Sequence, residues 1–241
     1  MIACTRTDTG VMRRVNEDFA YCSTLPVGKL PNLLVVADGM GGHQAGDFAS
    51  QYAVETFVEA VASGSSAVPF GVIRDAVVRA NSQVLKRSLE DMALRGMGTT
   101  LVAATVIEDI LYVANIGDSR LYVINEGIRQ ITRDHSYVEE AVARGEIKRG
   151  SPEYESQKKF ITRVIGVDSK AVPDFFEVEV QPGDILLLCT DGLTNMVSDE
   201  QIRRIVNGPL ELEEKAQALV DAANQNGGRD NITVILASAG I

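Results

Sequence analysis

Four of the chain's 33 acidic residues stand where a surface charge has no reason to be. Asp38 follows the apolar run 33–37 and runs directly into Gly39; Asp191 follows the apolar run 185–189 after Thr190 and runs directly into Gly192. Asp230 opens the last apolar run after Gly227, Gly228 and Arg229, and Asp118 sits in Ile116-Gly117-Asp118-Ser119-Arg120 between two β-like runs. An Asp-Gly pair at the end of a buried strand leaves a carboxylate at the mouth of a sheet, and the glycine lets backbone carbonyls approach a ligand. One such pair is ordinary turn chemistry. Four on one design point to a shared task, because converging carboxylates repel one another unless cations neutralise them. Magnesium and manganese favour carboxylate, carbonyl and water oxygens, and two His with three Cys are too few for a closed zinc site. A pair of such ions can polarise a shared water and clamp a phosphoryl oxygen, which is the chemistry of phosphate-ester hydrolysis. Arg13, close to Glu17 and Asp18, offers the planar fork that grips two phosphate oxygens.

Elements that would position these residues are legible as short β-branched and aliphatic runs bounded by Gly, Asp or Asn. They predict strands over 33–37, 99–107, 110–115, 120–125, 175–180, 185–190 and 231–237. Glu108-Asp109 and Asn125-Glu126-Gly127 are hairpin turns, so neighbouring strands pair antiparallel. Many of these runs are apolar on successive residues, which requires cover on both faces. Apolar residues at helical spacing predict long helices over 45–62 and 70–94, separated by Gly64-Ser65-Ser66. Ser198 caps a short helix to Val206, and another runs from about 212 to 224. The expected class is a layered α+β sandwich, helices outside and sheets inside, in one domain spanning 1–241. The polar stretch 144–159, interrupted by Gly and Pro and anchored at most by Ile147 and Tyr154, has the character of a lid or a solvated excursion.

Composition narrows the function. The net charge is −10 and no basic run exceeds two residues, so a groove tracking nucleic-acid phosphates is not expected. Without Trp and with 5% aromatics there is little material for base stacking. The longest apolar runs are far short of the ~20 residues of a membrane span, and the N-terminal MIACTRTDTG is no signal peptide. A cytoplasmic protein without a membrane partner is expected. Three widely spaced cysteines argue for reduced thiols rather than disulfides or a zinc ribbon.

The ordered set of motifs resembles the metal-dependent serine/threonine protein phosphatases of the 2C type (PPM/PP2C), in their stand-alone bacterial form. It runs through Gly10-x-x-Arg13-x-x-Asn16-Glu17-Asp18, Asp38-Gly39-Met40-Gly41-Gly42-His43, Gly98-Thr99-Thr100 and Asn115-Ile116-Gly117-Asp118-Ser119-Arg120. Asp134-His135-Ser136, Thr190-Asp191-Gly192 and Gly228-Arg229-Asp230-Asn231-Ile232-Thr233 complete it. The resemblance implies a four-layer α-β-β-α sandwich of two mostly antiparallel sheets flanked by helix pairs, with a flap at about 144–160. It implies two Mn²⁺ or Mg²⁺ ions bridged by Asp38, with Asp191 and Asp230 on one and the Gly39 carbonyl on the other. Asp18 would act directly or through water and Glu17 through water. Asp118, with Asp191, matches the ligands of a third, weaker ion, and Asn231 would orient Asp230.

By the same resemblance, Arg13 binds the phosphate, a metal-bridging hydroxide attacks phosphorus in line, and the serine or threonine alkoxide leaves. Met40 stands where animal relatives carry a histidine, which makes His43 or a bound water the candidate general acid. His135 reads instead as a hydrogen-bonded residue that starts a helix before the flap. Expected partners are phosphorylated proteins, substrates of a serine/threonine kinase, met by a monomer. Two alternatives stay open: a catalytically weak phosphoprotein-binding regulator, and a dinuclear-metal phosphoesterase acting on a non-protein substrate.

Overall fold

The computed structural model describes residues 1–42 and 45–238. Among them, two antiparallel sheets pack face to face. The first holds β1 (Ile2–Asp8), β7 (Arg120–Ile124), β8 (Ile128–Gln130), β10 (Ile185–Cys189) and β11 (Ile232–Ser238), in the order β1-β11-β10-β7-β8. The second holds β2 (Asp18–Ser23), β3 (Leu33–Met40), β5 (Leu101–Ile107), β6 (Ile110–Ile116) and β9 (Asp174–Glu179), in the order β2-β3-β5-β6-β9, with the short β4 (Gly98–Thr99) on β3. Every pairing is antiparallel.

The successive apolar residues of the central strands are explained by what covers them. Along β3, Leu34 and Val36 enter the core between the sheets beside Val102 of β5 and Leu188 of β10. Leu33, Val35 and Ala37 turn the other way, onto α1 (Ala45–Ala62) and α2 (Pro69–Glu90). On the far side of the molecule, Leu187 and Cys189 of β10 and Val234 of β11 meet α6 (Asp199–Val206) and α7 (Leu212–Gln225). The period of two thus fills three apolar layers, which is why polar alternation is missing from these strands. The expected four-layer α-β-β-α sandwich is the observed architecture.

Local chemistry sets the element ends. The Ser198 side chain accepts from the Gln201 N–H at the start of α6, and Glu211 and Glu214 form a reciprocal capping box at α7. The helix expected over 70–94 stops at Glu90, because the Asp91 side chain accepts from the Ala93 N–H and opens a separate 3₁₀ turn, Met92–Leu94. Strands β1, β2 and β8 were not among the predicted strands. β1 and β2 are sheet edges, each paired on one side only, and polar residues such as Thr5, Arg6 and Thr7 dilute their apolar pattern. Glu108 takes φ 56° in the β5–β6 turn, and the Asn125 N–H donates to the Gly127 carbonyl in the β7–β8 turn, as the hairpin reading expects.

The polar segment after α3 (Tyr137–Ala143) is more structured than its composition indicated. It contains α4 (Pro152–Gln157), capped by Ser151 and started by Pro152 at a position where no N–H is needed. Tyr154 is its buried anchor: its hydroxyl donates to Glu139 Oε1 at 2.5 Å, while Arg149 pairs with the other oxygen of the same buried carboxylate. The three cysteines are free, and among the described residues no helix is long and apolar enough to cross a membrane.

Candidate metal centre

The carboxylates singled out from the sequence gather at one end of the sandwich. The β2–β3 register sets Asp18 directly across from Asp38. Backbone contacts from the Gly98-Thr99-Thr100 motif fix Asp38: its N–H donates to Thr100 Oγ1 at 2.8 Å, and its carbonyl accepts from Thr99 Oγ1 at 2.8 Å and the Thr100 N–H at 2.9 Å. Thr100 Oγ1 also meets Ser119 Oγ at 2.8 Å, which ties the loop carrying Asp118 to the same point. That loop turns at Gly117 with φ +105°, where a Cβ would lie 2.5 Å from Thr100 Cγ2. Only glycine fits there. Gly39 is equally confined, since a Cβ would lie 1.9 Å from the Gly46 carbonyl oxygen of α1.

Asp191 begins the short helix α5 (Asp191–Thr194) at the end of β10, and Asn195 Nδ2 donates to its Oδ2 at 2.8 Å. Asp230 lies just before β11; its Oδ1 accepts from the Asn231 N–H at 2.9 Å and its Oδ2 from Arg13 at 2.7 Å. A link through Thr190 joins the two sheets at this end. The Thr233 N–H donates to Thr190 Oγ1 at 3.0 Å, and Thr190 Oγ1 donates to Asp18 Oδ2 at 2.8 Å. Thr190 and Thr233 had no role in the sequence reading, although both lie in its motifs. A hydroxyl beside each acid was the available signal.

Asp118, Asp191 and Asp230 line a cleft of about 810 Å³. Asp118, Asp191, Asp18 and Asp38, buried close to like charges, favour their protonated forms. Burial, followed by the charge of Asp191 and Asp134, pushes Asp118 up to about 8. Burial raises Asp18 to about 7 against the pull of the Thr233 and Thr190 hydroxyls, and burial with the charge of Asp230 raises Asp191 to about 6. Asp38 is raised well above the carboxylate range by burial and then by Asp18, Asp191, Asp118 and Asp230 in turn. Part of its surface stays accessible, yet the dense protein around it and four like charges set its behaviour.

The donor set fits hard divalent cations. Asp18 Oδ1, Asp118 Oδ1 and Asp191 Oδ1 are buried and without a hydrogen-bond partner. A buried carboxylate oxygen left unpaired is costly, and a divalent cation is a partner that each of them can take. Among the described residues no group of three or more His, Cys, Asp or Glu is placed to hold an ion by itself, so water and backbone oxygens would have to complete any site here. Asp118, Asp191 and Asp230 face a basin with room for water and substrate, as a catalytic rather than a structural ion requires.

The remaining candidates fall as follows. Arg13 is half-exposed at the basin's edge; besides Asp230 it lies 3.9 Å from Glu17 Oε2. Glu17 packs against Gly46 at the start of α1, and burial raises its pKa. Asn231 touches Asp230 only through its backbone N–H. Its side chain clamps the Arg13 loop, accepting from the Glu17 N–H at 2.8 Å and donating to the Thr9 and Val15 carbonyls at 2.9 Å each. His43 lies outside the described residues. His135 is buried, with its Nδ1 accepting from the Gly117 N–H at 3.2 Å and its backbone N–H donating to the Gly117 carbonyl at 2.9 Å. Burial lowers its pKa, which leaves a neutral ring gripping the Asp118 loop.

Comparison with known proteins agrees with this geometry. The family model for protein phosphatase 2C matches residues 14–237. The serine/threonine phosphatase stp of Listeria monocytogenes is 40% identical over 240 residues, covering 96% of this chain and 93% of that protein. The crystal structure of the Mycobacterium tuberculosis serine/threonine phosphatase PstP/Ppp superimposes with a TM-score of 0.88 at 34% identity, covering 100% of this chain and 99% of the other. A structure of the PstP catalytic domain in complex with two manganese ions gives 0.85 at 34% identity, with 98% and 97% covered. The chain belongs to the protein phosphatase 2C family.

Proposed function

We propose that this chain is a metal-dependent protein phosphatase that hydrolyses phosphoserine and phosphothreonine esters. The observation that carries this reading is the set of buried, unpaired carboxylate oxygens on Asp18, Asp118 and Asp191 beside Asp38 and Asp230. Family membership and the manganese-bound relative support it. Asp38 is the hub, because four other acids act on it. With Asp38, Asp191 and Asp230 would hold one ion, the Gly39 carbonyl a second, with Asp18 acting nearby directly or through water, and Asp118 with Asp191 would hold a third and weaker one. Bound Mn²⁺ or Mg²⁺ would supply an activated water and polarise the phosphoryl oxygens.

The chain's own residues then orient the ester. Arg13 is held at the basin by Asp230 and keeps further guanidinium donors for two phosphate oxygens. Asn231 fixes the loop that carries it. The Thr100–Ser119 bridge and the Thr190–Asp18 bond keep both sheets in register at the reacting end. Segment 144–160, held by Glu139, serves as the flap over the cleft, in a monomeric, cytoplasmic single-domain enzyme opposing a serine/threonine kinase. His43 remains the proposed proton donor to the leaving alkoxide.

Release of phosphate from phosphothreonine and phosphoserine peptides, measured with Mn²⁺, Mg²⁺ and EDTA, tests this function. Metal-dependent release is expected. A folded, metal-loaded protein that releases none would move the assignment to the phosphoprotein-binding regulator, and release from non-protein phosphoesters alone would move it to the other phosphoesterase.

A further inference from the structure

The cleft that holds Asp118, Asp191 and Asp230 extends under segment 144–160, and its far walls carry cations. Three of them are spent within the fold: Arg120 on Asp134 at 2.7 Å, Arg149 on Glu139, and Lys158 on Glu155 at 2.9 Å. The other three, Arg133, Lys159 and Arg229, line the same cleft and form no ion pair among the described residues. Lys159 lies over the Phe160 ring at 5.6 Å, and that ring is itself exposed. In a chain of net charge −10, unpaired cations gathered in one concave site need a reason. The carboxylates at the inner end cannot supply it, since their charge is the part that divalent ions would neutralise.

We propose that this cleft selects phosphopeptides carrying a second anionic group beside the phosphoresidue, a carboxylate or another phosphate, with Arg133 and Lys159 as the anion-binding wall. The inference rests on the phosphatase reading and adds the substrate class. Of the acids that line the cleft, Asp134, Glu139 and Glu155 are ion-paired, Asp118, Asp191 and Asp230 lie at the inner end, and Asp199 accepts from the Tyr122 hydroxyl, so the three unpaired cations leave the far wall with a positive excess. A concave wall of one net sign concentrates ligands of the opposite sign, while the acidic remainder of the surface repels them elsewhere. Exposed charge pairs are each weak, so discrimination comes from two or three acting together and is screened by salt. Neither Arg133 nor Lys159 touches the carboxylates that frame the basin.

The test compares phosphothreonine peptides of one length flanked by Glu, by Ala, by Lys or by a second phosphothreonine, using the manganese-loaded protein. p-Nitrophenyl phosphate and the Ala-flanked peptide report the basal reaction; if neither is hydrolysed, the phosphatase reading itself fails. With basal turnover intact, kcat/KM is expected to be about fivefold to tenfold higher for the Glu-flanked and doubly phosphorylated peptides at low salt. That preference should shrink toward unity at 0.5 M salt, in line with a Debye length of a few Å. The double variant Arg133→Glu/Lys159→Glu should keep aryl phosphate turnover and invert the preference toward the Lys-flanked peptide. Anisotropy of a labelled, Glu-flanked phosphonate peptide, which the enzyme cannot hydrolyse, should show the same loss in binding. Equal kcat/KM for the Ala-flanked peptide and for both anionic peptides, Glu-flanked and doubly phosphorylated, overturns the proposal, as does a preference that survives the double variant. Tighter competition by single-stranded oligonucleotide than by the acidic peptide overturns it in favour of a nucleic-acid ligand. A gain with the second phosphate alone narrows the class to doubly phosphorylated segments and supports the site.

Discussion

Each acid at the site bears a cost that a single substitution can expose. In the protein without ions, Asp38 faces four other carboxylates, so Asp38→Asn should raise the melting temperature of EDTA-treated protein while abolishing its response to Mn²⁺. A variant that melts lower than wild type in EDTA would show that Asp38 is paired rather than repelled. Thr190→Val tests the bond between the sheets: it removes the Thr190 hydroxyl from Asp18 Oδ2 and should cost about 1–3 kcal/mol in denaturant unfolding. Asp118→Ala should raise the Mn²⁺ concentration needed for half-maximal turnover while leaving the fold intact, and unchanged metal dependence would argue against a third ion. At this scale the sequence was most informative, because Asp-Gly at strand ends and the hydroxyl-rich motifs around them are local signals. The role of Thr190 and the grip of the Asn231 side chain on the Arg13 loop were not legible, since their partners, Asp18 and the Thr9 and Val15 carbonyls, are about 170 or more residues away along the chain.

Among the elements, the segment between α3 and β9 has the most to lose from one contact. Glu139 is buried and receives both the Tyr154 hydroxyl and the Arg149 guanidinium, so it latches α4 and the preceding loop to α3. Glu139→Ala should increase hydrogen exchange and proteolytic cleavage within 145–157 and raise KM for phosphopeptides more than for a small aryl phosphate. Equal effects on both substrates would mean that the segment supports the fold and not the peptide. Strand and helix positions in the core were readable from composition because burial on both faces removes the polar residues that would blur them. β1 and β2 were not, since an edge strand is half wet, and nothing local separates Thr-Arg-Thr in a strand from the same residues in a loop. The helix inside the polar segment escaped for a related reason: its single buried anchor, Tyr154, gives no periodicity to detect.

At the scale of the whole molecule, the sandwich is a frame that forces like charges together and leaves the compensation to ligands. Asp191, Asp18 and Asp118 have folded-state values raised to about 6, 7 and 8, above the ~4 of an unfolded aspartate. Their contribution to stability is therefore full below about pH 4 and is lost as pH rises through 6 to 8, where they must ionise against one another. Stripped protein should lose melting temperature across that window, and Mn²⁺ should restore more of it at pH 8 than at pH 5.5; an equal gain at both would contradict this electrostatic account. The most direct test of the central claim is a calorimetric titration of Mn²⁺ into the stripped protein at pH 7, repeated in buffers of different ionisation enthalpy. Saturable binding with release of protons, abolished in Asp38→Asn, is the result predicted for carboxylates that give up protons to take ions. Binding without proton release, or binding unchanged in Asp38→Asn, would place the metal elsewhere and contradict the assignment of these five aspartates.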